Sequence, residues 1–87
     1  MKLYELIKDV AETKLPDMEI TGVTSDTRTE LPAGGMFICI KGKTFDGHDA
    51  AEKMLEKGFA VVVTERDLGI ERQIIVDDTR AAFPLLC

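Results

Sequence analysis

The fold of this chain is decided by residues 36–63, which contain two fully apolar runs, Met36-Phe37-Ile38-Cys39-Ile40 and Phe59-Ala60-Val61-Val62-Val63. Runs without a polar residue are typical of strands that are buried on both faces of a sheet. The intervening residues 49–58 have the pattern of a short helix. The order strand, helix, strand predicts a βαβ unit with parallel strands and a right-handed crossover.

Both ends of this helix carry boundary signals. Asp49 and Glu52 have the spacing of a capping box, with Asp in place of Ser or Thr. Gly58 is typical of the residue that follows the last helical turn. The sequence therefore predicts that the helix begins at Asp49 and ends before Gly58.

Weaker patterns extend the fold on either side of this unit. Residues 19–24 are predicted to form a strand with an irregularity at Gly22, and residues 73–76 to form a further strand. An amphipathic N-terminal helix is indicated by the spacing of Leu3, Leu6, Ile7, Val10 and Ala11. The predicted fold class is α/β, with a small mixed sheet of about four to five strands and helices packed on it.

The C-terminal segment contains a conflict. Residues 77–80 read as a helix start, yet Pro84 would fall at the sixth helical position, where it removes a hydrogen bond and clashes. This helix is expected to be short or kinked, or to begin nearer Pro84. Because the sequence ends on an apolar run without a polar cap, we expect it to be cut from a longer protein.

Composition limits the possible functions. The 87 residues suffice for one domain, and the net charge of −5 argues against binding a nucleic acid duplex. Cys39 and Cys87 have no metal-ligand spacing, and a reduced, cytoplasmic protein is the simplest interpretation. No segment is apolar and long enough to cross a bilayer, so no membrane partner is expected.

Two polar segments lie near the ends of the first apolar run. The first polar segment is Ser25-Asp26-Thr27-Arg28, and the second polar segment is Gly42-Lys43-Thr44-Phe45-Asp46-Gly47-His48. In the first, Asp26 and Arg28 could stabilise a turn, or Thr27 could direct its hydroxyl at a ligand; spacing alone leaves both open. In the second, Phe45 could pack on the core or stack on a planar ring.

Two sharper hypotheses for the second polar segment are weak. A phosphate loop needs a glycine five positions before Gly42, and that position is Phe37. His48 could complete a hydrolase triad with Ser25 and Asp26, but any polar chain supplies such a set. A helix cap formed by His48 or Asp49 is the favoured alternative to catalysis. We therefore predict no catalytic residue and no metal ligand in this chain.

Taken in order, several short stretches make the chain resemble the N-terminal domain of the Mur ligases. They are residues 20–28, Pro32 with residues 35–38, and residues 40–42, 45–49, 58–63 and 76–82, which cover most of the sequence. The resemblance implies that residues 1–87 are a single domain that holds the uridine diphosphate end of a UDP-MurNAc-peptide. It also implies a longer, three-domain ligase, in which a central ATPase domain of the same chain binds ATP and Mg²⁺.

Residue roles are implied by position within this resemblance. Thr27 stands in place of the hydroxyl residue that contacts the uridine diphosphate, with Ser25, Asp26 and Arg28 in the same motif. The segment that lines the uracil corresponds to Lys43, Thr44 and Phe45. The turn that shapes it corresponds to Asp46, Gly47 and His48.

The resemblance is strongest to the ligase that adds diaminopimelate or lysine to UDP-MurNAc-dipeptide in peptidoglycan synthesis. The ligase that adds D-alanyl-D-alanine is one alternative. A non-catalytic adaptor domain without a nucleotide site and a small hydrolase built around His48 are two others. This segment alone is expected to bind substrate and not to catalyse a reaction.

Overall fold

The computed structural model describes residues 2–8, 10–11, 13, 15–28, 33–41 and 46–86. The helices and strands are α1 (Leu3–Ile7), β1 (Val23–Thr24), β2 (Met36–Ile38), a 3₁₀ helix (Gly47–Ala50), α2 (Ala51–Glu56), β3 (Val61–Thr64), β4 (Gln73–Ile75) and α3 (Thr79–Leu86).

The four strands form one sheet in the order β1-β2-β3-β4, and every neighbouring pair is parallel. The α/β fold with a small sheet is therefore confirmed, as is the parallel βαβ unit. The sheet is parallel throughout the described strands, where the sequence predicted a mixed one; the antiparallel pairings described are isolated bridges. Parallel pairing brings the carboxyl ends of all four strands to one edge, which is where open α/β sheets bind ligands.

The sheet is covered on both faces. Alternate residues of β2 and β3 point to opposite sides, so Met36 and Ile38 join the cluster that includes α1 and α3. Phe37 joins the cluster that includes α2, and its ring meets that of Phe59 edge to face at 6.1 Å. Each apolar side chain of this size that is fully buried contributes roughly 1.5–3 kcal/mol. The prediction of two-sided burial for the apolar runs is confirmed.

Cys39 follows β2 and is fully buried. Burial raises the pKa of its thiol to about 12, so the thiol stays protonated and unreactive at neutral pH. This agrees with its interpretation as a small apolar core residue.

The start of α2 differs from the prediction. Ala50 is its N-cap and makes no side-chain capping bond, so the predicted Asp49–Glu52 capping box is wrong. The chain instead enters through the 3₁₀ helix, whose N-cap is Asp46; its carboxylate accepts the His48 backbone N–H at 3.0 Å. A cap by His48 or Asp49 is likewise wrong. The predicted helix end is confirmed, because Gly58 has a φ of +113°, which glycine adopts readily.

Helix α3 begins as predicted and continues through the proline. Asp78 Oδ1 accepts the backbone N–H groups of Arg80 and Ala81 at 3.0 and 3.2 Å, which is a helix cap. Pro84 lies inside the helix, at a cost of up to about 3 kcal/mol. Burial of Ala82 and Leu86 against the sheet offsets this cost.

The N-terminal part is less regular than predicted. Helix α1 ends at Ile7, while Val10 and Ala11 lie beyond it and still pack against the core. The strand predicted over 19–24 is reduced to β1, with Glu19 in an isolated bridge to Lys2. Within the described ranges, no helix is long and apolar enough to cross a membrane.

Candidate functional site

The candidate site lies at the carboxyl edge of the sheet. The first polar segment follows β1, and the second polar segment lies after β2. The two segments flank β2 in the sequence, and their described parts, residues 25–28 and 46–48, lie at one edge because β1 and β2 run parallel. Residues that follow β3 and β4 come to the same edge.

The first polar segment forms a compact turn. Asp26 Oδ1 accepts the Arg28 backbone N–H at 2.8 Å, and the Arg28 guanidinium returns to the same carboxylate at 3.3 and 3.4 Å. The backbone bond from Arg28, reinforced by its side chain, lowers the pKa of Asp26. Ser25, directly after β1, is half-buried. Asp26 and Arg28 therefore act as turn residues, as one of the two interpretations of the sequence required.

Thr27 is the half-buried residue between them, and it faces a groove. A cavity of about 410 Å³ is lined by Thr27 and Arg28 from one side and by residues of the 3₁₀ helix, α2 and its C-cap from the other; these are Asp49, Ala50, Lys53, Met54 and Lys57. We call this cavity the edge groove. It brings the first polar segment against the residues that directly follow the second one.

The second polar segment ends in a buried polar network. Asp46 Oδ1 lies 2.7 Å from His48 Nδ1, and His48 Nε2 accepts the Glu65 backbone N–H at 2.9 Å. An accepting Nε2 carries no proton, so the neutral ring holds its proton on Nδ1 and donates it to Asp46. Only 5% of His48 is exposed. Both ring nitrogens are occupied by protein partners, which leaves no free base for hydrolysis.

Asp46 is held by more than His48. Its other oxygen, Oδ2, accepts Arg66 Nη1 at 3.3 Å. The backbone N–H of His48, its ring and the Arg66 guanidinium together lower the pKa of Asp46 to about 2. The carboxylate is consequently ionised at neutral pH and serves as an acceptor for three donors.

Gly47 is needed for steric reasons. A Cβ at this position would lie 2.8 Å from the Ile40 backbone nitrogen and 3.2 Å from Cys39 Cα. Its N–H donates to the Ile40 carbonyl at 2.9 Å. The segment after β2 thus packs directly on the strand end, where only glycine fits.

Of the predicted site residues, the structure brings Thr27 and Arg28 to the edge groove and gathers Asp46, Gly47 and His48 in the network beside it. Lys43, Thr44 and Phe45 lie outside the described residues, as does Gly42. Their contacts with a ligand stay predictions.

Sequence reasoning missed several residues at this edge. Lys53 and Lys57 line the groove, and Glu65, Arg66 and Arg80 join the network around Asp46 and Lys41. The last three follow the carboxyl ends of β3 and β4. The predicted parallel pairing could have identified these three residues, because residues that follow the carboxyl ends of parallel strands lie at the same edge of the sheet.

A second cavity, of about 590 Å³, lies along β4 away from the polar segments. Its charged lining residues are Asp67 and Glu71, while Thr13 and Gln73 supply neutral polar groups. Such a lining repels anions. We therefore take the smaller edge groove as the candidate site.

The described residues do not fit ATP or a metal ion. Among them, no group of three or more His, Cys, Asp or Glu side chains could hold a metal. Phe37, where a phosphate loop requires glycine, is a buried residue of β2.

Similarity to known proteins is consistent along the chain. The UDP-N-acetylmuramoyl-L-alanyl-D-glutamate--2,6-diaminopimelate ligase of Bacillus licheniformis is 43% identical over 87 residues, which cover 98% of this chain and 18% of that protein. The UDP-N-acetylmuramoyl-tripeptide--D-alanyl-D-alanine ligase of Escherichia coli is 39% identical over 80 residues, which cover 88% of this chain and 18% of that protein. The chain spans less than a fifth of the length of either relative.

Solved structures give the same result. MurF from Acinetobacter baumannii superposes with a TM-score of 0.77 at 29% identity, covering 94% of this chain and 19% of that one. A family model described as "Mur ligase family, catalytic domain" matches residues 19–84. The chain therefore belongs to the Mur ligase family.

Proposed function

We propose that this chain is the domain of a peptidoglycan-precursor ligase that binds the uridine diphosphate end of UDP-MurNAc-dipeptide, and that the edge groove is where the nucleotide binds. One observation carries this proposal: Thr27, the residue implied to contact the nucleotide, lines a groove together with residues that follow the second polar segment. The groove thus joins the first polar segment to Asp49 and Ala50, which directly follow the second one.

The charges of the groove suit a diphosphate. Its lining holds the cationic side chains of Lys53 and Lys57 against one carboxylate, that of Asp49, while the Arg28 guanidinium, also in the lining, is paired with Asp26. A local excess of positive charge attracts an anion at short range even in a chain of net charge −5. The cavity volume of about 410 Å³ also falls within the range of small-molecule sites.

The proposal extends to the longer protein of which this chain covers a part. That protein would be an ATP-dependent, cytoplasmic ligase that uses ATP and Mg²⁺ through a central ATPase domain of the same chain. MurF from Thermotoga maritima, solved in complex with ADP, matches 74% of this chain at a TM-score of 0.65. In this proposal the present segment contributes substrate binding, as the family resemblance implies.

The diaminopimelate- or lysine-adding ligase is the first candidate, supported by the 43% identity to the Bacillus licheniformis relative. The D-alanyl-D-alanine-adding ligase is the second, supported by the superposition on MurF of Acinetobacter baumannii. Release of phosphate from ATP by the full-length protein, measured with each amino acid or dipeptide in turn, separates the two candidates.

Calorimetric titration with UDP tests the binding role of this chain. Thr27→Ala should weaken binding by about 0.5–1.5 kcal/mol, the usual contribution of one hydrogen bond. Thr27→Ser is the matched control: it keeps the hydroxyl and should bind like the wild type. Equal affinities for all three proteins would reduce Thr27 to a turn residue. A wild-type chain that binds no UDP at millimolar concentration would refute the proposed function.

A further inference from the structure

The base of the second polar segment is closed by backbone contacts. Lys41 and Asp46 form an isolated antiparallel bridge, and the Gly47 N–H donates to the Ile40 carbonyl at 2.9 Å. Asp46 is also the N-cap of the 3₁₀ helix, and two residues of that helix, Asp49 and Ala50, line the edge groove. We call the pair of Lys41 and Asp46 the bracket.

Two arginines hold the bracket, Arg66 after β3 and Arg80 in the first turn of α3. Arg80 Nη2 donates to the Lys41 carbonyl at 2.7 Å, across 39 residues of sequence. Arg66 Nη1 reaches Asp46 Oδ2 at 3.3 Å. Arg80 therefore holds Lys41, and Arg66 holds Asp46.

The two contacts differ in the group that is held. Arg66 forms an ion pair with the Asp46 side chain, and the arginine is 52% exposed. Arg80, which is also exposed, donates from a charged group to a main-chain carbonyl. A bond to the main chain also fixes the path of the chain directly.

The position of Arg80 is itself fixed. Its backbone N–H is capped by Asp78, and the preceding Thr79 is fully buried. Glu65 Oε1 accepts both the backbone N–H and the hydroxyl of Thr79, at 2.9 and 3.0 Å. The first turn of α3 is anchored to the end of β3, so Arg80 extends from a rigid base.

We propose that Arg80 is a positioning residue, which holds the Lys41 side of the bracket and thereby sets the affinity of the site for a uridine nucleotide. The link to the nucleotide rests on the function proposed above. The hydrogen bond from Arg80 to the Lys41 carbonyl does not depend on that function.

Amide hydrogen exchange of the 87-residue protein without ligand tests the grip. In Arg80→Met, the Gly47 amide should exchange about tenfold faster, since the bracket loses a hydrogen bond from a charged donor. The Val76 amide, which donates to the Thr64 carbonyl inside the sheet, should keep its rate and so reports on global stability. Arg72→Met is the matched control, because Arg72 is exposed and lies at the amino end of β4.

Calorimetry with UDP on the same proteins tests the consequence. Arg80→Met should weaken UDP binding about tenfold, and Arg80→Lys, which can still donate one charged hydrogen bond, should recover most of it. Arg72→Met should bind UDP like the wild type.

The outcomes separate the two proposals. An unchanged Gly47 exchange rate in Arg80→Met overturns the positioning role, whatever the affinity of this variant for UDP. Faster exchange with the same UDP affinity as Arg72→Met overturns the link between bracket and binding. A wild-type protein that does not bind UDP refutes the proposed function, while the exchange rate of Gly47 still decides whether Arg80 holds the bracket.

Discussion

The Nε2 atom of His48 accepts the Glu65 backbone N–H at 2.9 Å, and so joins the segment after β2 to the end of β3. The same ring donates to Asp46 from its other side. Two chain segments, 17 residues apart in sequence, are thus joined by one buried imidazole. His48 stabilises the edge of the sheet on which the proposed site is built.

Replacing His48 should therefore cost stability. His48→Leu removes both ring contacts and leaves the Glu65 N–H without its acceptor, which should lower the free energy of unfolding by about 2–4 kcal/mol. His48→Gln can still present an acceptor near the position of Nε2 and should cost less. Urea denaturation of the three proteins measures the difference. Equal stabilities for wild type and His48→Leu would show that the imidazole bridge is not formed.

Gly47→Ala should be strongly destabilising, because its Cβ would clash with backbone atoms of Ile40 and Cys39 that cannot move aside cheaply. We expect a loss of more than about 2 kcal/mol. Gly69→Ala is an informative control: Gly69 has open space around it but a φ of +73°, so only backbone strain of about 1 kcal/mol applies. Thermal or urea unfolding compares the two. A smaller loss at Gly47 than at Gly69 would contradict the packing described.

Stability should fall in acid through Asp46. Its pKa is depressed from 3.8 to about 2 in the folded protein. A carboxylate whose pKa is lower in the folded protein than in the unfolded chain stabilises the folded state. The full contribution is present above the pKa of the unfolded chain, and it is lost as the pH falls through the pKa of the folded protein. Between pH 4 and pH 2 we therefore expect a loss of up to about 2 kcal/mol from this group.

Asp46→Asn tests that assignment by urea denaturation across the same pH range. The variant should be less stable at pH 7 and should show a correspondingly flatter acid dependence. Asp77→Asn is the control, since the exposed Asp77 side chain makes no hydrogen bond within the described part of the chain. Were Asp46→Asn to keep the full acid dependence of the wild type, another group would be responsible for it.

Thr64 offers a stabilising substitution. Its hydroxyl is fully buried at the end of β3, and among the described residues it has no hydrogen-bond partner. Thr64→Val keeps the shape and removes the unpaired polar atom, so the free energy of unfolding should rise by about 1 kcal/mol. A decrease would reveal a partner for this hydroxyl in solution.

The sequence predicts the central βαβ unit well because its signals are local. Apolar runs such as residues 36–40 identify buried strands, and Gly58 marks a helix end by its own conformational freedom. The entry into α2 was predicted wrongly because the chain inserts a 3₁₀ turn, which has no hydrophobic period of its own. Asp46 rather than Asp49 became the cap as a result.

The contacts that build the site are of a different kind. Glu65 meets Thr79 across 14 residues and Arg80 meets Lys41 across 39. Such pairs depend on the order and register of the strands, which residue patterns do not specify. The sequence could therefore indicate Thr27 as a candidate contact, through its family resemblance, but it could not identify the arginines that hold the edge together.

Mapping UDP binding by amide chemical shifts on the 87-residue protein tests the central claim most directly. We predict saturable shifts at residues 27, 28, 49, 53 and 57, which line the two sides of the edge groove, and at the adjoining residues 25, 26 and 46–48. No shift at millimolar UDP would contradict the claim. Shifts confined to the cavity along β4, at residues such as Thr13, Glu71 and Gln73, would contradict it equally.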